Sequence, residues 1–179
     1  SNSVYDMLVG HEVGHALFTP NEDPPSNIPH QFINVTEDAR IEKLMKRRYP
    51  GLSKSFFAGY RELSDDDFFC IADEDVSSMN LADKVNLYFK IGNFIDIPFT
   101  EKEIEIRDLI SNTETFGDVI IAAEILYKYC KEGEAQKKVA DVDMPSNQGA
   151  KSSNSEQQQE NGEEQVDSNI SEDESEEKG

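Results

Sequence analysis

This sequence is poor in cysteine and contains no tryptophan. Only two cysteines, Cys70 and Cys130, occur among its 179 residues, and their spacing fits no short metal-binding or redox motif. This scarcity argues against a disulfide-stabilised scaffold. Because both cysteines lie among apolar residues, we predict that they are reduced core residues of a cytosolic protein.

Positive charge is also scarce. The chain has 17 Lys and Arg residues against 37 Asp and Glu, which gives a formal net charge of −20. Nucleic-acid binding needs a broad positive surface, so we predict no nucleic-acid partner. The sequence shows no signal peptide and no run of 18 apolar residues, so we predict neither secretion nor a membrane span.

The acidic residues are concentrated at the C-terminal end. Residues 141–179 carry 12 Asp and Glu but only two Lys, and they include no aromatic residue. Such a segment cannot bury enough apolar surface to offset the entropy of ordering the chain. We therefore predict one ordered domain at residues 1–140 and a disordered, acidic, low-complexity tail at 141–179. The tail is a solubilising linker or, alternatively, a tether to a further domain or a basic partner.

Within the first 140 residues, the spacing of apolar residues predicts a mainly α fold of about six helices. The alternation of apolar and polar residues that several strands would require is absent. The helices are expected at residues 5–18, 52–63, 81–94, 100–110 and 116–131, and the second helix includes residues 32–45 and ends near residues 49–51.

Histidine is rare as well, and two of the three histidines share one motif, His11-Glu12-Val13-Gly14-His15. Residues four apart lie on one face of a helix, so the two imidazoles can bind a single ion. Glu12 lies beside them without being a ligand. This pattern predicts a Zn²⁺ site with His11 and His15 as ligands and Glu12 as the catalytic base that deprotonates water.

The alternative is a pair of histidines hydrogen-bonded in a core helix. Residues 7–18 carry no charge other than that of the motif, which favours a helix buried against a protein core. Gly14 costs about 1 kcal/mol of helix propensity relative to Ala. This cost indicates close approach of another backbone or of a substrate.

A catalytic zinc ion normally has three protein ligands, so a third must follow the motif. Glu37 is the predicted third ligand, because a proline-rich loop can turn the chain so that the second helix packs across the first. Asp38, Glu42 and His30 are the alternatives. Asp38 can instead orient one of the histidines through its second ring nitrogen.

Two segments, His-Glu-Val-Gly-His-Ala-Leu-Phe-Thr and Glu-Asp-Ala-Arg-Ile-Glu, resemble the metallopeptidase-like region of tailed-phage proteins that also carry a von Willebrand factor A domain. Those proteins are similar to the cobaltochelatase subunit and the nitric-oxide-reductase activation protein, which work with MoxR-type AAA+ ATPases. The resemblance covers about residues 1–140. It implies a zincin-like helical domain of the gluzincin type, with zinc held by His11, His15 and Glu37.

The resemblance implies a zinc-dependent metallopeptidase that acts on a peptide or protein in the cytoplasm, which is the host cytoplasm if the protein is phage-encoded. The alternative is a catalytically inert metal-binding adaptor that works with a MoxR-type ATPase and a von Willebrand A domain. Tyr49, Tyr60 and His30 are candidates for stabilising the oxyanion. The chain does not begin with Met, and no substrate-binding sheet precedes the motif. We therefore expect a fragment of a longer protein that binds metal more readily than it hydrolyses peptides alone.

Overall fold

The computed structural model describes residues 2–142 and, within them, six α-helices and no β-strand. The helices are α1 (Asn2–Phe18), α2 (His30–Arg48), α3 (Leu52–Asp65), α4 (Leu81–Ile91), α5 (Glu101–Ser111) and α6 (Phe116–Val142), and a short 3-10 turn spans Val76–Ser78. The predicted mainly helical fold of about six helices is confirmed. The predicted disordered tail lies outside the described residues except for positions 141 and 142, which end α6.

Two helices end three or more residues away from their predicted C-terminal ends. The last helix was expected to stop near Lys131, yet α6 continues to Val142. Its added turns are rich in Ala, Lys, Glu and Gln, which favour helix without an apolar stripe, so hydrophobic spacing does not reveal them. Conversely, α4 ends at Ile91, before Gly92. None of the helices in residues 2–142 has the length and apolar character that a membrane span requires.

The central helix is α2, which contacts each of the other five helices. Its N-terminal half belongs to a hydrophobic cluster shared with α4, α5 and α6, and its C-terminal half to a second cluster shared with α1, α3 and the end of α4. The first cluster includes Phe32, Val85, Ile110, Val119 and Leu126, and the second includes Met7, Met45, Phe56 and Ile91. This position lets one face of α2 meet α1 directly.

Glycine allows α1 to lie close to its two neighbours. A Cβ added at Gly14 would lie 2.9 Å from Cγ of Met45 and 3.0 Å from Cδ1 of Ile41, both on α2. A Cβ added at Gly59 of α3 would lie 2.8 Å from Cβ of Met7. The close approach at Gly14 is therefore made by side chains of α2 and not, as expected, by another backbone or a substrate.

The outer face of α1 is exposed, so the prediction that this helix is buried against a core holds for one side only. Met7, Gly10 and Gly14 are buried. The opposite side carries five large apolar residues that are 41% to 68% exposed: Tyr5, Leu8, Val9, Val13 and Leu17. The lack of charge in residues 7–18 thus reflects two apolar faces, of which only one is covered by the described chain.

The two cysteines differ in their surroundings. Cys130 is buried as predicted, and burial raises the pKa of its thiol. Cys70 is exposed, so its prediction as a core residue is wrong. The cause is a surface turn in which Asp67 and Cys70 both have positive φ angles, 48° and 54°. The Asp67 carboxylate accepts hydrogen bonds from the backbone N–H groups of Ile71 and Ala72, which stabilises this turn.

Candidate metal centre

Helix α1 directs His11 and His15 toward Asp38 of α2. The Nε2 atoms of the two histidines are 3.2 Å apart, and Oδ1 of Asp38 lies 3.0 Å from Nε2 of His15 and 3.5 Å from Nε2 of His11. Zinc bonds of about 2.0–2.1 Å in a tetrahedron separate the ligand atoms by about 3.3 Å. The three atoms therefore have the mutual distances of three ligands of one tetrahedral ion.

Glu42 determines which nitrogen of the His11 ring carries the proton. Its Nδ1 atom lies 2.8 Å from Oε1 of Glu42, a carboxylate oxygen that can only accept. Nδ1 therefore donates, and Nε2 of the neutral ring presents a lone pair toward Asp38. The buried Tyr60 hydroxyl donates to the same Glu42 oxygen. Burial and the charge of Glu42 raise the pKa of Tyr60, so this hydroxyl remains a donor.

A second chain of hydrogen bonds fixes the His15 ring. Its Nδ1 atom lies 3.0 Å from Oγ1 of Thr19, and the Thr19 hydroxyl donates to Oε1 of Glu37 at 2.8 Å. Because the one hydroxyl proton is already used, Thr19 must accept from Nδ1–H of His15. Nε2 of His15 therefore also presents a lone pair to the cluster.

Three hydrogen-bond acceptors thus converge with no proton between them when both histidines are neutral. The ammonium group of Lys90 lies 3.3 Å from Oδ2 of Asp38, whereas both histidines contact Oδ1. Converging acceptors require a cation. In the ion-free protein a proton can supply it, since the hydrogen bond to Glu42, partly opposed by burial, raises the pKa of His11. Two imidazole nitrogens and a carboxylate oxygen are also a common donor set for catalytic zinc, so the residues fit this metal.

Glu37, the predicted third ligand, has a different position. Arg40 donates from Nε to Oε2 of Glu37 at 3.0 Å and from Nη2 to Oε1 at 2.6 Å, and Thr19 donates to Oε1 as well. Both oxygens are therefore occupied by donors, and Glu37 positions His15 through Thr19. Asp38, and not Glu37, is the carboxylate of α2 that contacts both histidines.

Of the remaining predicted residues, two belong to the hydrogen bonds around His11 and two lie outside the metal centre. Glu42 and Tyr60 belong to the hydrogen-bonded support of His11, although neither faces the convergence point of the three acceptors. His30 is exposed at the start of α2, and Tyr49 is exposed just after its end. None of the three candidates for stabilising an oxyanion is therefore a free donor at the centre.

The carboxylate of Glu12 is free to act as the predicted base. It is exposed and, among residues 2–142, has neither a hydrogen-bond nor an ion-pair partner. The side chains of His11, His15 and Asp38 are 17%, 30% and 19% exposed, so the cluster reaches solvent from a largely covered position. A free carboxylate on the residue that follows His11 in α1 is suited to accept a proton from water.

Sequence reasoning did not identify the support residues Thr19 and Lys90. A signal for Asp38 and Glu42 does exist, because these residues are four apart on α2 as His11 and His15 are on α1. Each helix therefore presents two polar side chains on one face. Where α1 and α2 pack together, the two pairs meet.

Comparison of the chain with family models, curated proteins and solved structures finds no match. The centre is therefore characterised by its geometry alone. It consists of two histidines on α1, Asp38 on α2, and the two series of hydrogen bonds that hold the imidazole rings.

Proposed function

We propose that this protein is a zinc-dependent metallopeptidase whose ligands are His11, His15 and Asp38. The observation that carries the proposal is the convergence of three lone-pair atoms at separations of 3.0–3.5 Å, with no donor between them. Zinc bound there would activate water as a nucleophile and polarise the carbonyl of a peptide bond.

The chain's own residues then supply orientation and proton transfer. Glu12 accepts the proton of the attacking water on its carboxylate and passes it to the nitrogen of the leaving amine. Glu42 and Thr19 keep the proton of each imidazole on Nδ1, so that both Nε2 atoms remain ligands. Lys90 holds Oδ2 of Asp38, which leaves Oδ1 for the metal.

The proposal includes the relation to tailed-phage metallopeptidase-like proteins and a cytoplasmic location, that of the host if the protein is phage-encoded. Its basis is the two motifs, of which the first supplies both histidines and the second supplies Asp38 and Glu42. The proposed ligand set differs from the one that the resemblance implies by a shift of one residue, from Glu37 to Asp38.

A second candidate is a catalytically inert metal-binding adaptor that works with a MoxR-type AAA+ ATPase and a von Willebrand A domain. The observation that favours it is the absence of any β-strand in residues 2–142, because zincin peptidases hold the substrate backbone on a strand edge. In an adaptor the bound zinc would stabilise the fold, and Glu12 would have no catalytic role.

Zinc content, measured by elemental mass spectrometry on the full chain, tests the centre. We expect one zinc per chain in the parent and none in His11→Ala or Asp38→Asn. His30→Ala is the matched control, since His30 is exposed on α2 away from the cluster, and it should keep its zinc. Circular dichroism checks that each variant is folded. A folded parent that binds no zinc would contradict both candidate functions.

Glu12→Gln separates the two candidates. In a peptidase this change should keep the zinc and lower the rate of peptide hydrolysis by about 10²–10⁴-fold, the usual contribution of a general base. A parent that cleaves no peptide from a diverse library, despite one zinc per chain, would support the adaptor. Cleavage at equal rates by the parent and Glu12→Gln would exclude the proposed role of Glu12.

A further inference from the structure

A small cleft adjoins the candidate metal centre. It lies between the end of α2, the face of α3 and the end of α4, and its volume is about 220 Å³. Two of its lining residues also contact the centre, since Tyr60 donates to Glu42 and Lys90 pairs with Asp38. The cleft therefore occupies the side of the centre where α3 and α4 meet α2.

The charged residues that line this cleft are both lysines, Lys46 and Lys90, in a chain whose net charge is −20. Among the described residues, no Asp or Glu lines the cleft, and Lys46 has no carboxylate partner. The Lys46 ammonium lies 5.2 Å from the centre of the Phe56 ring. A half-buried cation without an anion, in so acidic a protein, is suited to receive an anion from a ligand.

Most of the other lining residues are aromatic, and the remaining two are Ser53 and Asn93. Phe57 and Phe94 pack edge to face with their ring centres 5.0 Å apart, and Phe89 lies beside them. The cleft is smaller than the roughly 300–1,000 Å³ of sites for drug-sized ligands, so it has room for one short side chain. Aromatic walls suit a methylene stem, and the ammonium groups suit a carboxylate at its end.

We propose that this cleft is a subsite for a carboxylate of the peptide substrate, from an acidic side chain or from the C-terminus. The inference rests on the proposed metallopeptidase function and adds the substrate class. Lys46 is the residue that recognises the carboxylate. Lys90 contributes positive charge while it remains paired with Asp38.

Binding of labelled peptides to the full-length, zinc-loaded Glu12→Gln protein tests the subsite, because turnover is suppressed. Fluorescence anisotropy compares four pentapeptides whose N-terminus carries an uncharged dansyl label: Ala-Ala-Glu-Ala-Ala and Ala-Ala-Gln-Ala-Ala, each with a free or an amidated C-terminus. We expect peptides with a carboxylate to bind about tenfold or more tightly than the neutral one, the size of one charge-assisted hydrogen bond. The Glu amide and the Gln free acid then distinguish the two sources of the carboxylate.

Lys46→Met should reduce this preference to less than about twofold, because Met keeps the apolar stem but lacks the charge. The matched control is Lys54→Met, which removes an exposed lysine of α3 outside the cleft and should keep the preference. Equal binding of charged and neutral peptides, or a preference that survives Lys46→Met, would overturn the subsite while the zinc centre stands. A chain that binds no zinc yet keeps a Lys46-dependent preference would instead overturn the metallopeptidase function.

Discussion

Two buried clusters of charged side chains lie in this protein, and they differ in how their charges are matched. In the first, Lys84 of α4 lies 2.6 Å from Oε2 of Glu103 of α5. The same carboxylate accepts from the backbone N–H of Thr100, and Lys84 also lies 5.2 Å from the centre of the Phe99 ring. One cation meets one anion, so the cluster is complete without a ligand.

The second cluster, at the α1–α2 contact, is incomplete. It contains three carboxylates, Asp38, Glu37 and Glu42, and two basic side chains, Arg40 and Lys90. With neutral histidines one negative charge remains unmatched, that of Glu42, whose partners are the Nδ1–H of His11 and the hydroxyl of Tyr60.

The difference shows how a buried structural ion pair is distinguished from a metal centre. Burial alone does not separate them, because both clusters are largely shielded from water. The excess of hydrogen-bond acceptors distinguishes the metal centre from the ion pair, because an unmatched buried acceptor is costly unless a cation is bound. A substitution in one cluster should therefore leave the other unaffected.

The largest expected effect is on the complete cluster. Lys84→Met should lower the free energy of unfolding by about 3–5 kcal/mol, because it leaves the Glu103 carboxylate buried without its cation. Zinc stoichiometry should not change. Urea unfolding with a chelator present measures the stability, so that bound metal does not contribute.

The control for Lys84→Met is Lys102→Met, which removes an exposed cation paired with Glu105 on the same helix and should cost less than about 0.5 kcal/mol. If Lys84→Met released the zinc while the protein remained folded, the two clusters would be coupled, and the distinction drawn between them would fail.

The next effect concerns the support of the metal centre. Glu42→Gln should weaken zinc affinity by about 10–100-fold, as removal of a carboxylate behind a ligating histidine usually does. Gln keeps the shape of the side chain and an acceptor for Tyr60, so the protein should remain folded. Competition with a chromogenic chelator measures the affinity.

Glu114→Gln is the matched control for this change, because Glu114 is an exposed carboxylate paired with Lys43 and Arg47 on the same helix as Glu42. It should leave zinc affinity unchanged. Equal affinities for the parent and Glu42→Gln would mean that the Glu42 carboxylate does not act through His11.

Gly14→Ala tests whether the spacing of α1 and α2 sets the metal centre. The new Cβ would meet Met45 and Ile41 at 2.9–3.0 Å. Overpacking of about 1–3 kcal/mol, offset by about 1 kcal/mol of helix propensity, predicts a net loss of up to about 2 kcal/mol. Zinc affinity should fall as well, because the histidines are displaced from Asp38.

Gly133→Ala is the control for that substitution. Gly133 also lies within a helix, α6, but a Cβ added there would meet nothing within 4 Å. The change should raise stability by about 0.5–1 kcal/mol and leave zinc binding as it is. A stabilised Gly14→Ala protein with parental zinc affinity would show that α1 and α2 can separate without effect on the centre.

The helical fold and the two histidines could be predicted from local patterns, because apolar spacing and the i, i+4 motif depend on neighbouring residues only. The choice between Glu37 and Asp38 could not, since these neighbours differ by about 100° around α2. What decides it is Arg40. This residue holds Glu37 and also donates to the backbone carbonyls of Phe18 and Glu114, which are distant in sequence. The exposure of the outer face of α1 is equally a tertiary property.

The smallest expected effect is the pH dependence of the complete cluster. Burial opposes ionisation of Glu103, but the hydrogen bonds from Lys84 and from the Thr100 backbone outweigh it, and together they lower the pKa of this carboxyl below its ordinary value. The folded state therefore binds fewer protons than the unfolded state, so this contribution to stability is present above the unfolded pKa of about 4.3 and is lost as pH falls through the lowered folded pKa.

Urea unfolding with chelator at pH 7, 5, 4 and 3 measures this dependence in the parent and in Glu103→Gln, whose amide does not titrate. The parent should be the more stable protein at pH 7, and the difference should shrink between pH 5 and pH 3. Because the chelator excludes metal and the two proteins differ only at residue 103, a shrinking difference reports on the titration of Glu103. A difference that stays constant down to pH 3 would mean that the Lys84–Glu103 pair does not stabilise the protein through its charge. Charge matching would then no longer distinguish this pair from the metal centre.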